Sequence, residues 1–165
     1  MASDEVVVIL DNIRSAENVG SIFRTAEAAG ASKIFLCGIT PAPADILGRP
    51  RLRLKKTSLG AENFLSWETC KNTTSLLIRL KKADFLIFAV EQAKSSVSYR
   101  LASDIIKKQF RGKGQKKIAL VLGNEIKGIS RAALKRSDFI LEIPIAGRKE
   151  SLNVAVAFGI VIFNL

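Results

Sequence analysis

Three segments of the sequence carry polar residues that their apolar surroundings do not require. Each segment follows a run that we predict to be a buried strand, and in open α/β sheets ligands bind beyond the carboxyl ends of the strands. The same segments hold the glycines, amides and charges that binding or catalysis would use. They are Asp11–Arg24, Leu122–Ser130 and Ile143–Ala157.

The first segment combines a helix start with an arginine. Either Ser15 or Asn18 can cap the helix. Gly20 allows close approach to the first turn, and Arg24 lies four residues further on the same face. Because a helix N-terminus attracts anions, this pattern favours a site for an anionic group. An ordinary cap with a tolerated glycine and a solvated arginine fits this segment equally well.

The second segment lacks the features of two common nucleotide motifs. Gly123 and Gly128 have the spacing of a phosphate loop, but Ile129 stands where that loop needs lysine. The first predicted strand is not followed by Gly-x-Gly-x-x-Gly either, which argues against an ordinary nucleotide-binding Rossmann enzyme. What remains is a glycine bend that carries the acidic Glu125. The structural alternative is a strand-to-helix turn with Ser130 as its N-cap.

The third segment leads into a strongly apolar helix, predicted over Ser151–Leu165. Ser151 is a good N-cap for it. Asn153 enters the apolar part of the helix, where a polar side chain needs a hydrogen-bonding partner. A helix that is apolar nearly all round is buried on two sides, which in so short a chain predicts a subunit interface.

Alternating strands and helices must position these segments. Five short runs are continuously apolar, as the strands of a parallel sheet are. We therefore predict one α/β domain over residues 1–165, a mostly parallel sheet with helices on both faces. The predicted strands are Val6–Leu10, Lys33–Cys37, Asp84–Val90, Lys117–Leu122 and Phe139–Ile143; the predicted helices are Val19–Ala29, Ser75–Lys82, Ala102–Phe110, Ser130–Ser137 and Ser151–Leu165; Gly38–Gly60 is predicted to be a long loop that can hold one short helix.

Composition excludes several classes of enzyme. The chain of 165 residues has no histidine, which excludes Ser-His-Asp and Cys-His catalysis and the histidine zinc motif. Cys37 and Cys70 lie in different segments, which excludes a cysteine zinc cluster and a dense disulfide framework. The chain opens with the acidic stretch Met1–Glu5, which argues against a signal peptide. It has no apolar stretch near the ~20 residues that cross a membrane, which argues against a membrane anchor. We therefore expect a cytoplasmic protein without a membrane partner.

The charge of the chain predicts a polyanionic partner. Lys plus Arg number 26 and Asp plus Glu number 15, which gives a net charge of +11. This excess favours nucleic acid over a membrane surface. The basic stretches Arg49–Lys56 and Lys107–Lys117 are the candidate contacts, with solvated surface lysines as the alternative. Aromatic residues are too few for a base-stacking platform.

Taken in order, the three segments resemble the SpoU (TrmH-type) branch of the SPOUT superfamily of RNA methyltransferases. The likeness runs from about Val6 to the C-terminus and corresponds to the minimal catalytic core of that family. Leu59–Glu62 is similar as well. The matching motifs are Asn18-x-Gly20-x-x-x-Arg24, Gly123-Asn124-Glu125-x-x-Gly128-Ile129, and Ile143-Pro144-Ile145 followed by Ser151–Ala157.

The resemblance implies a trefoil knot near the C-terminus, a homodimer, and S-adenosyl-L-methionine (AdoMet) held in the knot. The implied reaction is methyl transfer to a ribose 2′-hydroxyl of tRNA or rRNA, in an active site that the partner subunit completes. The sulfonium of AdoMet already carries the leaving charge, so we expect no metal. A non-catalytic RNA-binding module on the same fold is the alternative, and such a module should not bind AdoMet.

The resemblance also implies which residues form the site. A guanidinium is effectively always protonated, so we expect Arg24 to grip a phosphate or to stabilise the developing alkoxide, not to act as a base. The implied catalytic set is Asn18, Arg24, Glu125, Ser151 and Asn153; the implied cofactor-binding set is Val90, Gly123, Ile143, Ser151 and Leu152.

Overall fold

Among the described residues, the centre of the fold is a sheet of seven strands, all paired in parallel. The computed structural model describes residues 4–165, so the first three residues of the acidic opening lie outside it. The strands are β1 (Glu5–Asp11), β2 (Lys33–Cys37), β3 (Ser66–Cys70), β4 (Leu86–Val90), β5 (Val97–Ser98), β6 (Lys117–Gly123) and β7 (Phe139–Glu142). Their order across the sheet is β3-β2-β1-β6-β4-β7-β5.

Within residues 4–165, six α-helices cover the two faces of this sheet. They are α1 (Ala16–Ala28), α2 (Leu52–Ser58), α3 (Thr73–Lys82), α4 (Ala102–Gln109), α5 (Arg131–Leu134) and α6 (Val154–Ile162), with short 3₁₀ turns at Ala61–Asn63 and Tyr99–Leu101. The apolar residues of α1, α2, α4 and α6 share one buried cluster, and those of α3 and α5 share the other. The predicted α/β class, a parallel sheet with helices on both faces, is confirmed.

The sequence did not predict β3 and β5, the two strands at the edges of the sheet. β3 has the polar sequence Ser-Trp-Glu-Thr-Cys and lies at the edge of the sheet, where none of its residues is fully buried. β5 has only two residues at the opposite edge. The expected signal for a buried parallel strand is a continuous apolar run, and an edge strand does not need one.

The start of the last helix differs from the prediction. Asn153 is the N-cap of α6, because its Oδ1 accepts hydrogen bonds from the backbone N–H of Ala155 (2.9 Å) and Val156 (3.4 Å). The prediction that Ser151 caps this helix is therefore wrong. Ser151 lies in the irregular segment 143–153 that joins β7 to α6.

Gly20 provides close packing between two helices. A Cβ atom at this position would lie 2.3 Å from the backbone oxygen of Leu54 in α2. The hydroxyl of Thr57 in α2 also donates to the backbone oxygen of Glu17 in α1 (2.9 Å). The group that approaches the first turn of α1 is therefore α2, which accounts for this glycine without a ligand.

The two basic stretches lie at opposite edges of the sheet. Arg49–Lys56 runs into α2, whose Arg53 forms an ion pair with Glu17 in the first turn of α1 (3.7 Å). Lys107–Lys117 leads into the amino end of β6, where Lys116 pairs with Asp4 (2.8 Å). Strands of this length separate the two edges by roughly 20 Å. Within residues 4–165, no helix is both long and apolar enough to cross a membrane.

Candidate functional site

A chain of side-chain hydrogen bonds joins the three polar segments. The Nδ2 of Asn153 donates to the Oδ1 of Asn18 (3.0 Å), and the Nδ2 of Asn18 donates to Oε1 of Glu125 (3.0 Å). Because β1, β6 and β7 run parallel, their carboxyl ends meet at one edge of the sheet and bring these side chains together. One residue from each predicted motif therefore meets at a single point.

Glu125 also binds the backbone at the start of α1. Its Oε2 accepts from the N–H of Arg14 (2.9 Å) and its Oε1 from the N–H of Ser15 (3.0 Å). Ser15 is the N-cap of α1 and accepts from the N–H of Asn18 (3.1 Å). A carboxylate at this end of a helix is favoured by the helix dipole. The first and second motifs are thus joined by backbone as well as by side chains.

These contacts set the protonation of Glu125. Partial burial raises the pKa of the carboxyl, but the hydrogen bonds from Arg14, Ser15 and Asn18 outweigh it, and the pKa of Glu125 lies below its ordinary value of 4.5. Both carboxylate oxygens already accept hydrogen bonds. Glu125 is therefore suited to holding Asn18 in place and poorly suited to taking up a proton.

The lowered pKa predicts a pH-dependent effect of Glu125→Gln. Because the pKa is lower in the folded chain than in the unfolded chain, the stabilisation is present above pH 4.5 and is lost as the pH falls through the lowered value. Since the side chain is exposed, we expect Glu125→Gln to reduce the free energy of unfolding by at most about 1 kcal/mol at pH 7. The difference should vanish in acid. Urea unfolding at several pH values tests this, with the exposed Glu27→Gln as control; a difference that persists at low pH would contradict it.

The loop after β6 is held tightly in shape. A Cβ atom on Gly123 would lie 2.3 Å from the backbone nitrogen of Ile129, so no larger residue fits there without moving the chain. The Oδ1 of Asn124 accepts from the N–H groups of Ile126 and Lys127, each at 3.0 Å. The glycine bend that the sequence indicates is therefore a closed loop in which the side chain of Asn124 replaces backbone partners.

A cavity of about 740 Å³ opens beside this loop. All the predicted cofactor-binding residues line it, and so do Asn18, Glu125 and Asn153 of the predicted catalytic set. Among its described lining residues, every charged side chain is a glutamate: Glu91, Glu125, Glu142 and Glu150. In a chain with a net charge of +11, this cavity is an acidic exception suited to a cation.

Arg24 is not part of this cavity. The residue is exposed on α1 and lines a separate groove of about 510 Å³, with Lys56 of α2 and Phe163 after α6 among its other lining residues. The structure of one chain thus brings four of the five predicted catalytic residues to the cavity and leaves the fifth on another surface.

Two carboxyl groups that hold the loop after β6 were not singled out by the sequence argument, although Asp11 begins the first polar segment. Glu91 follows β4, and its Oε2 accepts from the N–H of Ile129 (3.0 Å), which fixes the loop after β6 from the cavity side. Asp11 ends β1 and is buried. The available signal was position, because both carboxyl groups stand at the carboxyl end of a strand.

Comparison with known proteins assigns the chain to a family. Residues 5–163 match the model of the SpoU rRNA Methylase family. A 23S rRNA (guanosine-2'-O-)-methyltransferase RlmB of Xylella fastidiosa is 32% identical over 159 residues, which are 96% of this chain and 57% of that protein. The chain belongs to the SpoU rRNA methylase family. It spans about three fifths of the length of the curated relatives it matches.

Solved structures agree with this assignment. An AdoMet-bound rRNA methyltransferase from Sinorhizobium meliloti has a TM-score of 0.80 and 32% identity, and the match covers 99% of this chain and 56% of that one. A TrmH/SpoU tRNA modifying enzyme of A. aeolicus has a TM-score of 0.78 and 26% identity, covering 98% of this chain and 74% of that one. The fold is that of the SPOUT methyltransferases.

Proposed function

We propose that this chain transfers a methyl group from AdoMet to a ribose 2′-hydroxyl of tRNA or rRNA. The observation that carries the proposal is the hydrogen-bonded chain from Asn153 through Asn18 to Glu125, which joins three distant motifs at the wall of one cavity. The relatives with matching sequence and fold include enzymes named for 2′-O-methylation and for AdoMet binding. The ribose hydroxyl marks the substrate as RNA.

The lining of the cavity fits the cofactor. Apolar side chains such as Leu122, Leu141 and Ile143 offer a surface for adenosine, with Val90, Gly123 and Leu152 beside them. The glutamates match the positive charges of a sulfonium and an ammonium. When bound, AdoMet supplies an electrophilic methyl group. Ser151 lines the same cavity beside Leu152 and would bind the cofactor from the segment 143–153.

The residues of the chain would act by positioning and by charge. Asn18, held by Glu125 and Asn153, presents a fixed amide at the cavity wall. A bound hydroxyl and methyl donor must be aligned, and such fixed groups supply the alignment. The guanidinium of Arg24 would bind a phosphate or stabilise the developing alkoxide.

The segment 143–153 would complete the trefoil knot. β7 lies next to β4, on the side away from β6. After β7 the chain turns back across the sheet, so that α6 packs against α1, β4 and β6. This return path across the carboxyl edge of the sheet supports the knot that the family resemblance implies. The cavity lies against that path, which would place AdoMet in the knot.

We also propose that two copies form the active enzyme. Val156 on α6 is 53% exposed and Phe163 just after α6 is 67% exposed, although α6 is apolar throughout. A second copy would cover this surface and would bring its Arg24 toward the cavity of the first copy, which has no arginine among its described lining residues.

The double variant Val156→Asp with Phe163→Asp tests the dimer. We expect it to be a monomer in analytical ultracentrifugation. Phe64→Asp, at a residue 82% exposed elsewhere, should leave the dimer intact. A wild-type monomer would contradict the proposal.

Basic residues of α2 and the segment before it would bind RNA beside the site. Arg49 and Arg53 are engaged by Asp45 and Glu17, so Arg51, Lys55 and Lys56 are the side chains to neutralise. The slope of log affinity against log salt is negative, and changing these three residues to Gln should make it shallower by about 2–3. Each lost phosphate contact reduces the magnitude of the slope by about 0.7–0.9.

The opposite edge of the sheet offers a matched control for that RNA experiment. Changing Lys108, Arg111 and Lys113 to Gln removes the same charge far from the cavity. We expect a smaller change in the salt slope and an unchanged rate of methyl transfer with saturating RNA. Equal effects of the two triple variants would show that α2 has no special role. Filter binding over a range of salt concentrations measures both.

Calorimetry with AdoMet tests the proposed function directly. Binding of AdoMet by the wild-type chain supports the enzyme, and its absence supports the non-catalytic RNA-binding module. Mapping 2′-O-methyl positions in total RNA with and without the gene then identifies the substrate as tRNA or rRNA. Binding without any lost methyl position would contradict the proposed reaction.

A further inference from the structure

A buried carboxylate outside the cavity holds one end of the loop 124–130. Asp11 is 2% exposed at the end of β1. Its Oδ2 accepts from the N–H of Ser130 (3.0 Å), which is the last residue of the loop. Its Oδ1 accepts from the hydroxyl of Thr73 (2.6 Å) and from the Nδ2 of Asn12 (2.9 Å). The carboxylate therefore ties β1 to the loop and to α3.

The other end of the same loop is held through Asn12. The backbone oxygen of Asn12 accepts from the Nδ2 of Asn124 (2.7 Å), the first residue of the loop. Asn12 has a φ of 60°, a left-handed conformation in which asparagine is enriched among non-glycine residues. Its side chain is fixed by Asp11 and by the N–H of Ile39, which donates to its Oδ1 (3.3 Å). Asp11 thus binds Ser130 directly and holds Asn124 through Asn12.

The described hydrogen-bond donors to Asp11 are all neutral groups. The ion pairs found among residues 4–165 do not include it. Thr73, which donates to it, is the first residue of α3, a helix of ten residues. The positive end of the helix dipole therefore favours the buried carboxylate. A neutral amide of the same shape would lose this interaction and the hydrogen bonds to whichever carboxylate oxygen its NH₂ group replaces.

We propose that Asp11 is a positioning residue for the methyl transfer. By holding both ends of the loop 124–130, it places Glu125 where Asn18 and the start of α1 can bind it, and it keeps the cavity wall formed by Gly123 and Gly128 in shape. The proposal rests on the proposed function for its catalytic meaning. The mechanical part, loop closure by Asp11, can be measured without activity.

Asp11→Asn is the test. If the carbonyl of the new amide takes the place of Oδ1, it accepts from Thr73 and Asn12, and the N–H of Ser130 loses its acceptor. If it takes the place of Oδ2, it accepts from Ser130, and Thr73 and Asn12 lose theirs. We expect the affinity for AdoMet to fall about tenfold or more, the effect of leaving one or two donors unpaired. The amide of Gly128 donates to the backbone oxygen of Asn124, and its hydrogen–deuterium exchange should also become about tenfold faster. The amides between β1 and β6 should stay protected.

Thr73→Val is the matched control. It removes one donor to Asp11 and leaves the bonds to Ser130 and Asn12. We expect lower thermal stability with AdoMet affinity and Gly128 exchange within about twofold of wild type. If Asp11→Asn does not fold, Asn12→Gly keeps the left-handed backbone, removes the amide and should still accelerate exchange at Gly128.

The outcomes separate the two proposals. Wild-type affinity and wild-type loop exchange in a folded Asp11→Asn variant would overturn the role of Asp11. The same loop exchange in Thr73→Val and Asp11→Asn would reduce that role to general stability and would overturn it too. A wild-type chain that does not bind AdoMet would instead contradict the proposed function, while the exchange data would still decide whether Asp11 closes the loop.

Discussion

Arg24→Ala is expected to reduce methyl transfer at least about 100-fold, which is the scale of losing one charge-stabilising group at a reacting centre. AdoMet binding should change by less than about twofold, because Arg24 does not line the cavity. The fold should be unaffected, since the side chain is exposed. Single-turnover methylation and calorimetry on the same sample measure the two effects.

The chemistry of Arg24 can be resolved further with a second variant. Arg24→Lys keeps the charge and loses the planar, bidentate guanidinium, so an intermediate rate indicates that charge and bidentate geometry both contribute. Arg111→Ala removes an exposed arginine between α4 and β6, at the opposite edge of the sheet from the cavity, and should behave as wild type. Wild-type methylation by Arg24→Ala would contradict the proposed role.

Gly123→Ala is expected to lower the affinity for AdoMet about ten- to a hundredfold, the range of 1–3 kcal/mol for overpacking. The added Cβ would meet the backbone of Gly128 and Ile129 at 2.3–2.7 Å, and backbone cannot move aside as a flexible side chain can. Gly114→Ala is the control, because nothing lies within 4 Å of a Cβ there. Calorimetry measures the affinity, and unchanged binding by Gly123→Ala would show that the loop wall is not part of the cofactor site.

The two variants together test the proposed dimer. In a mixed dimer, a chain with Arg24→Ala retains an intact cavity, and a chain with Gly123→Ala retains its arginine. If each cavity uses the arginine of the other copy, co-expression restores one working site per mixed dimer and methylation reappears. If Arg24 serves the cavity of its own chain, every site is defective and the mixture stays inactive.

The sheet and the meeting of its loops were predictable because they depend on local patterns. Continuous apolar runs identified the central strands such as β1 and β6, and parallel strands place their following loops at one edge. The polar residue Asn153 in an apolar helix start required a partner, which proved to be Asn18. These inferences needed only the type of a residue and its neighbours.

Other features depend on contacts between residues far apart in sequence. Arg24 shares a motif with Asn18, yet the turn of α1 directs the two to different surfaces. Asp11 is one polar residue at a strand end, and its partners Thr73 and Ser130 lie 62 and 119 positions away. The sequence offers no local pattern that pairs such residues, so the contacts by which Asp11 holds the loop 124–130 could be identified only from the structure.

The hydrogen bonds of the cavity connect residues 107 to 135 positions apart, from Asn18–Glu125 to Asn153–Asn18. Such long chain closures are slow to form and come after local helices. Because residues so far apart in sequence become neighbours only in the folded chain, the cavity is absent from the unfolded chain, and AdoMet would raise the melting temperature by binding the folded state alone. Ligand-dependent melting then becomes a measure of completed folding for newly made chains.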